Sequence, residues 1–454
     1  MKKFFLLAIV SVLSIAFIGC EPPSDITTNL REEYIEENAS GVSLWTMDFE
    51  EWNNQINIKQ RLDFNDIQDD GIQLNQVLIE MNSFEDMIRS ARETGGVPDI
   101  YMVSYGNVYK EVQNGNIIDL TSYFDQSIWN DLTETAKDGV SYGDAYYAFP
   151  ILFEPSSLLF YRKDLLQQYA GTDTVPTNWS DFLVLLDSVK TGISDSGDRG
   201  IYPFDVPKGV ALGWGTWGLQ YSATGGLAIT DDWTTSRLEN SGFSDLANLW
   251  STLYADGLVP LSSGDYTEVI NDLCMNKLVM TTAGSWSIAT IIKEYPDLVD
   301  KIGVMPMPTF DGEQNTATAT NGGWTYVISS QCQNVEAAVE VIKFLVAENT
   351  EKPLEYFEVS NYSKTSPRIS IQNLIESQLG TQSTVPIDWV ETVYSVSNNA
   401  ILEPIYSWDI SITVSSMLEN AALGNNIDAE LIAANQSIID IIEEQNLANN
   451  NPRG

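Results

Sequence analysis

The chemistry open to this chain is bounded first by a missing residue. Its 454 residues include no histidine. That excludes Ser-His-Asp and Cys-His nucleophilic machinery and imidazole metal sites of the H-E-x-x-H kind. It also removes the one side chain whose ordinary pKa lies near neutrality. Carboxylates are plentiful, 63 Asp and Glu against 23 Lys and Arg. A pair of them suits glycoside hydrolysis, which needs no histidine. Among so many acids such a pair arises by chance and decides nothing. Gly213-Trp-Gly215-Thr-Trp-Gly218 matches G-x-G-x-x-G, yet a Trp between the glycines blocks the close approach of backbone to pyrophosphate that the motif provides. The stretch from Asp63 to Gly71 resembles a calcium loop, but Ile67 takes the third oxygen-ligand position and the glycine comes late, so it reads as a solvated acidic turn. Tyr146-Tyr147 reads as core packing. No metal and no cofactor is expected.

At a formal charge of −40 the surface repels phosphate backbones, so nucleic acid is not an expected partner. With 43% apolar and only 19% charged residues the chain is globular rather than disordered. Its length exceeds that at which single cores stop growing, so two lobes are expected. Lys2 and Lys3 precede an apolar run from Phe4 to Ile18 that ends in Gly19-Cys20. This is a signal peptide (1–20), too short to span a membrane, and the small residue before Cys20 resembles a bacterial lipobox, which implies lipidation at Cys20. Residues 21–40 are polar and suit a flexible tether. Cys274 and Cys332 are left open between a disulfide and small core residues.

Order begins near residue 41. Residues 41–47 read as a strand, 84–92 as an amphipathic helix closed by Gly95-Gly96, and 98–103 as a second strand. Further helices are expected over 180–189, 244–255 and 335–346, and strands over 303–307 and 325–329. Alternating strands and helices indicate α/β architecture with largely parallel sheets. No repeat of 20 to 50 residues is visible.

Four stretches, in order, resemble the extracellular solute-binding proteins of carbohydrate ABC transporters, the maltose-binding-protein-like family. They are Pro98-Asp99-Ile100 with Gly115-Asn-Ile-Ile-Asp119-Leu120; Gly143-Asp-Ala-Tyr-Tyr-Ala-Phe-Pro150 with Leu159-Phe-Tyr161-Arg-Lys163-Asp164-Leu165 and Pro176-Thr-Asn-Trp179; Leu273 to Trp286; and Gly303-Val-Met-Pro-Met-Pro308 with Gly322-Gly323-Trp324. The resemblance spans roughly 41–445. It implies an α/β, two-lobe periplasmic-binding-protein fold of type II, each lobe a mainly parallel sheet flanked by helices, joined by a multi-strand hinge that closes around ligand. Lobe one is expected over 41–150 and 308–358, lobe two over 152–306 and 360–448, and 449–454 as a disordered tail. Crossings are expected near 150–155, 305–308 and 360–367.

The same resemblance implies a receptor, not an enzyme: a monomer that binds a carbohydrate ligand, is held at the membrane through its N-terminal lipid, and serves an ABC permease. Sugars offer hydroxyl rims and C–H faces, which call for aromatic platforms edged by planar polar groups. Family position nominates Trp286 and Trp214 with Trp217 as platforms, then Trp324 and Trp408. For the polar edges it nominates Glu154 and Asp48; Tyr105 and Asn107 are added because they follow the 98–103 strand, at a carboxyl end that faces the cleft, and Arg368 because it follows Pro367 at the third crossing and can donate a bidentate hydrogen bond. The rival readings are an exported carbohydrate-active enzyme and a surface lipoprotein outside transport.

Overall fold

The computed structural model describes residues 41–67, 71–262, 266, 268–313, 315–382 and 385–452. The signal peptide, Cys20 and the 21–40 tether lie outside the described residues.

Two sheets organise the chain. The first is built from β1 (Val42–Asp48), β2 (Leu74–Glu80), β3 (Ile100–Ser104), β4 (Phe149–Pro155), and the later strands Thr320–Ile328 and Ile401–Leu402. The second has three strands: β5 (Leu158–Arg162), β6 (Met280–Ala283) and β7 (Ile302–Met305). We call the strand Thr320–Ile328 β8 and Ile401–Leu402 β9. In the first sheet β1 pairs parallel with both β2 and β3, while β8 runs antiparallel to β3 and β4 and parallel to β9. A strand has only two edges, so β9 must share the edge of β8 that β3 occupies, pointing toward the end of β3. Helix α1 (Glu51–Ile67) leads into β2, α2 (Met81–Thr94) into β3, and α3 (Tyr105–Gln113) follows β3 directly. Helix α2 ends as its sequence dictates: Gly95 takes φ +78° and its N–H closes on the Ala91 carbonyl, a left-handed cap that glycine adopts without Cβ strain.

The strand directions correct one expectation. In the second sheet the central β5 is antiparallel to both β6 and β7, so this sheet is not mainly parallel. The strand-helix-strand unit of β6, α4 (Ser287–Glu294) and β7 does yield two mutually parallel strands, as the alternation implies. The strand between them arrives from the first sheet, and its direction follows from that entry, which local pattern does not carry. Leu158, Leu159, Phe160 and Arg162 of β5 are all buried because both faces are covered. Leu159 and Met280 face one core with Trp179, Phe204, Trp250 and Leu418, whereas Leu158, Phe160, Ile302 and Val304 face another with Ile291, Phe357 and Trp389. Period-2 alternation is therefore lost at the level of hydropathy and survives only as a choice between two cores. A third core, with Phe64, Ile100, Trp129, Phe149 and Ile342, covers the first sheet.

Most local expectations hold with shifted ends. The helix expected at 180–189 runs Trp179–Ser196, that at 244–255 runs Ser241–Ala255, and that at 335–346 runs Val335–Ile342 before a wider turn over Lys343–Ala347. The Asp63 region is helical and Asp63 pairs with Lys59 and Lys352, so the acidic-turn reading fails there. Residues 449–452 are not a disordered tail: Leu447–Asn450 form a 3-10 turn, Tyr109 donates to the Asn450 carbonyl (2.6 Å), and Asn451 donates to that of Asp231 (2.7 Å). Cys274 and Cys332 are free thiols that pack with different cores.

The chain passes between the sheets through a stitched bundle. Ser156 and Ser157 alone separate β4 from β5. The Ser156 N–H donates to the Thr320 carbonyl (2.9 Å), and the Thr320 N–H and hydroxyl both donate to the Ser156 hydroxyl (3.1 and 2.9 Å). Residues Phe153 and Thr365 exchange backbone hydrogen bonds, both 2.9 Å. Asn321 holds the Ser397 carbonyl (2.7 Å) and accepts from its hydroxyl (3.0 Å). Gly323, with φ +133°, sits beside a register shift of β8 against β4. A Cβ there would fall into the Leu152 carbonyl. Gly323→Ala is therefore expected to cost roughly 2 kcal/mol of stability, read as a lower urea midpoint at unchanged m-value.

Candidate functional site

The stitched bundle is also the floor of the candidate site. At its centre lies Gly322, for which neither backbone nor packing calls for glycine. Its φ is not positive and an added Cβ would meet nothing nearer than the Glu154 carbonyl (3.9 Å) and Glu403 Oε2 (4.0 Å). Glycine inside a strand weakens it and marks a bulge, a bend or a place where a ligand or another backbone comes close; the register shift of β8 lies further on, between Trp324 and Thr325, so Gly322 is a candidate for ligand approach.

On the side of the second sheet stands an aromatic wall. Trp214, on the short helix Ala211–Gly215, meets Tyr266 edge to face (4.8 Å, 73°) and Trp286 at a tilt (6.4 Å, 44°). Tyr266 is itself tied to the floor, donating to the Ser156 carbonyl (2.9 Å), while Ser157 donates to the Gly215 carbonyl (3.1 Å) and the Ser285 N–H to that of Pro155 (3.0 Å). Trp286 lies in the turn entering α4, its ring folded over Gly284, where any Cβ would collide with the indole. Both Trp214 and Trp286 are half-buried, which leaves ring surface for stacking against an apolar ring face.

The other rim comes from the first sheet. The Asp48 carboxylate accepts from Asn54 (2.6 Å), Phe49 packs on Trp324 (5.4 Å), and Trp52 opens α1. Lys293, near the end of α4, lies 5.0 Å above the Trp52 ring. Helix α4 thus begins at the aromatic wall and ends on this rim, with a cation–π contact between them. Glu154 points at Lys364 in a buried ion pair. Glu403, which follows β9, accepts from the Gly106 N–H (3.2 Å). Burial, and then the charge of Glu154, push its carboxyl up to about 7 against the opposing pull of the Gly106 bond.

The ten residues nominated from sequence therefore separate. Trp214 and Trp286 come together beside the crossing, and Glu154, Asp48 and Trp324 come from three strands of the first sheet, β4, β1 and β8. Trp408 is exposed at the start of α5 (Trp408–Ala422). Asn107 is held by Ser104 and Glu85, 3.1 Å each. Three nominations are corrected. Trp217 is buried, its indole N–H on the Ser411 hydroxyl (3.1 Å) and its ring edge-on to Trp408 (5.7 Å). Tyr105 is 1% exposed and stacked on Phe153 (4.7 Å). Arg368 is fully engaged by Asp131 (2.8 Å) and the carbonyls of Val346 and Asn349 (2.9 and 2.7 Å). The glycine-rich 213–218 stretch spans two short helices, Ala211–Gly215 and Trp217–Thr224, instead of a strand-to-helix phosphate loop.

Sequence reading missed Gly322, Tyr266, Lys293, Lys364 and Glu403. The Gly322-Gly323-Trp324 run carried a signal for the first, and nothing local marks the others. Among the described residues no group of three or more His, Cys, Asp or Glu is placed to hold a metal ion.

Two sheets joined by a stitched crossing, with polar and aromatic groups gathered over it, define a two-lobe binding protein. The sequence model for bacterial extracellular solute-binding proteins matches residues 63–373, and the chain belongs to that family. Solved structures with the same fold include an ABC transporter solute-binding protein from Thermotoga lettingae bound with alpha-D-tagatose, at 19% identity and TM-score 0.72, over 89% of this chain and 100% of that one. The GacH receptor of Streptomyces glaucescens, solved unliganded and with acarbose, matches at 17% identity and TM-score 0.72, over 89% and 98%. Maltose-bound MalE3 of T. maritima matches at 17% identity and TM-score 0.72, over 88% and 99%.

Two substitutions separate structure from recognition. Arg368→Met leaves Asp131 with its Ser370 hydrogen bonds but no counter-ion, and is expected to cost about 3 kcal/mol of stability. Gly322→Ala is expected to leave the melting temperature level or slightly raised, and to weaken solute binding in titration calorimetry.

Proposed function

We propose that this protein is the receptor of an ABC importer, lipid-anchored at Cys20 on the outer face of the cytoplasmic membrane, and that it captures a sugar or oligosaccharide for delivery to the permease. The observation that carries the carbohydrate reading is the pair Trp214 and Trp286, half-buried and seated through Tyr266 on the crossing. A sugar ring buries its C–H face on such a platform, and its hydroxyls meet the polar groups of the floor. The solved proteins of this fold that hold tagatose, acarbose and maltose support the same class of ligand.

The proposed lobes are 41–150 with 308–358, and 152–306 with 360–448; β9 and most of β4 reach from the second set of spans into the first sheet. Capture works by differential affinity. Ligand touching both lobes stabilises the closed arrangement, and the permease reads that shape. No bond is made or broken, so the absence of histidine costs this protein nothing.

Native mass spectrometry of freshly purified protein is expected to show a co-purified sugar. A panel of mono- and oligosaccharides should contain at least one that shifts tryptophan fluorescence and raises the melting temperature. Trp286→Ala should weaken that ligand roughly tenfold, the loss that one aromatic contact carries. A panel with no effect on either readout removes the carbohydrate reading.

A further inference from the structure

Among the described residues Glu403 is an acid beside the crossing bundle that pairs with no cation. Strand β9 runs head-on toward the end of β3, because both pair with the same edge of β8, and the next residue therefore lands on the first turn of α3. There its N–H donates to the Asn321 carbonyl (3.3 Å), and its carboxylate takes the Gly106 N–H from a position 297 residues away in sequence. Ser104, at the N-cap, makes no side-chain cap, so Glu403 supplies the capping acceptor. Position 106 has to be small for this: a Cβ would come within 3.0 Å of the Glu403 carboxyl carbon.

The charges around it explain its state. Helix α3 presents a backbone N–H, and its Lys110 pairs instead with Glu85 (3.9 Å). Strand β8 presents Asn321 and Gly322, and β4 presents Glu154, whose charge is met by Lys364 from the third crossing. Lys364 also feels the charge of Glu50. Among the described residues no Lys or Arg forms an ion pair with Glu403.

We propose that Glu403 is a proton-linked positioning residue: protonated, it keeps the segment after β9 docked on α3, and ionised, it loosens that segment and the entry to α5 beyond it. The sign follows from linkage. Burial, and then the charge of Glu154, push the folded carboxyl from its ordinary 4.5 up to about 7, against the pull of the Gly106 N–H. From about pH 4.5 to 7 the docked chain therefore holds a proton that the undocked chain releases. The stabilisation is full below that window, declines through it, and is gone above pH 7. Between pH 6 and 8 the docking equilibrium should weaken about tenfold.

The test is hydrogen exchange by mass spectrometry on the full chain at pH 6 and 8, corrected for intrinsic rates, read on peptides covering 100–113 and 400–408. The wild type should lose about tenfold protection in those peptides and not in peptides from β1. Glu403→Gln, which keeps an acceptor for Gly106, should show no such pH dependence and should melt higher than wild type at pH 8. Wild-type protection that is equal at the two pH values overturns the proposal without recourse to any variant. So does a Glu403→Gln protein that keeps the wild-type pH dependence. This readout needs no ligand, so a sugar panel that fails to bind counts against the carbohydrate reading and leaves the exchange result standing.

Discussion

The fold and the site both depend on a small clasp of hydrogen bonds where the chain first leaves one sheet for the other. Ser156 and Thr320 share three of them across buried backbone and hydroxyl groups. Each group is deprived of water, so an unmade bond there costs the full desolvation penalty, on the order of 1–3 kcal/mol. The clasp fixes β4 against β8 at the point where β4 becomes β5, and this sets the direction of the second sheet's central strand. It also carries function: Tyr266 hangs from the Ser156 carbonyl and Trp214 leans on Tyr266. The platform is therefore referenced to the crossing itself, not to a distant loop.

Polar residues near this crossing divide by what they already hold. Arg368 saturates its guanidinium on Asp131 and two carbonyls, which makes it a brace between the helix Ile369–Gln382 and the first sheet's periphery. Glu154 is bound to Lys364. Gly322 offers only backbone and open space, and Glu403 is a carboxyl that accepts from the Gly106 N–H and, among the described residues, pairs with no cation. A binding surface built this way is rigid in its braces and responsive in one carboxyl, which is the arrangement that lets capture sense its surroundings without unfolding.

Much of the fold was legible in the sequence because it rests on local rules. The amphipathic helix before β3 closes on Gly95, and Asn178 caps the helix that begins at Trp179. Ordered family-like stretches pointed to the family whose sequence model matches residues 63–373. What escaped reading is long-range. The antiparallel β5 looks like any apolar run, and Trp217 and Trp214, three residues apart, differ only in which neighbour covers them. Arg368 follows a proline in a crossing segment, yet whether it faces solute or Asp131 depends on a partner 237 positions away. Glu403 carries no local mark, since its role arises from two strands that share an edge of a third.

Where solute rests decides whether Trp214, Trp286 and Gly322 form the site. The most direct measurement is a crystal structure of the protein with its captured sugar. The account predicts a sugar ring lying against Trp286 or Trp214 and passing over Gly322 within van der Waals contact of the bare backbone. A sugar bound elsewhere, with Gly322 uncovered and both indoles untouched, would contradict it.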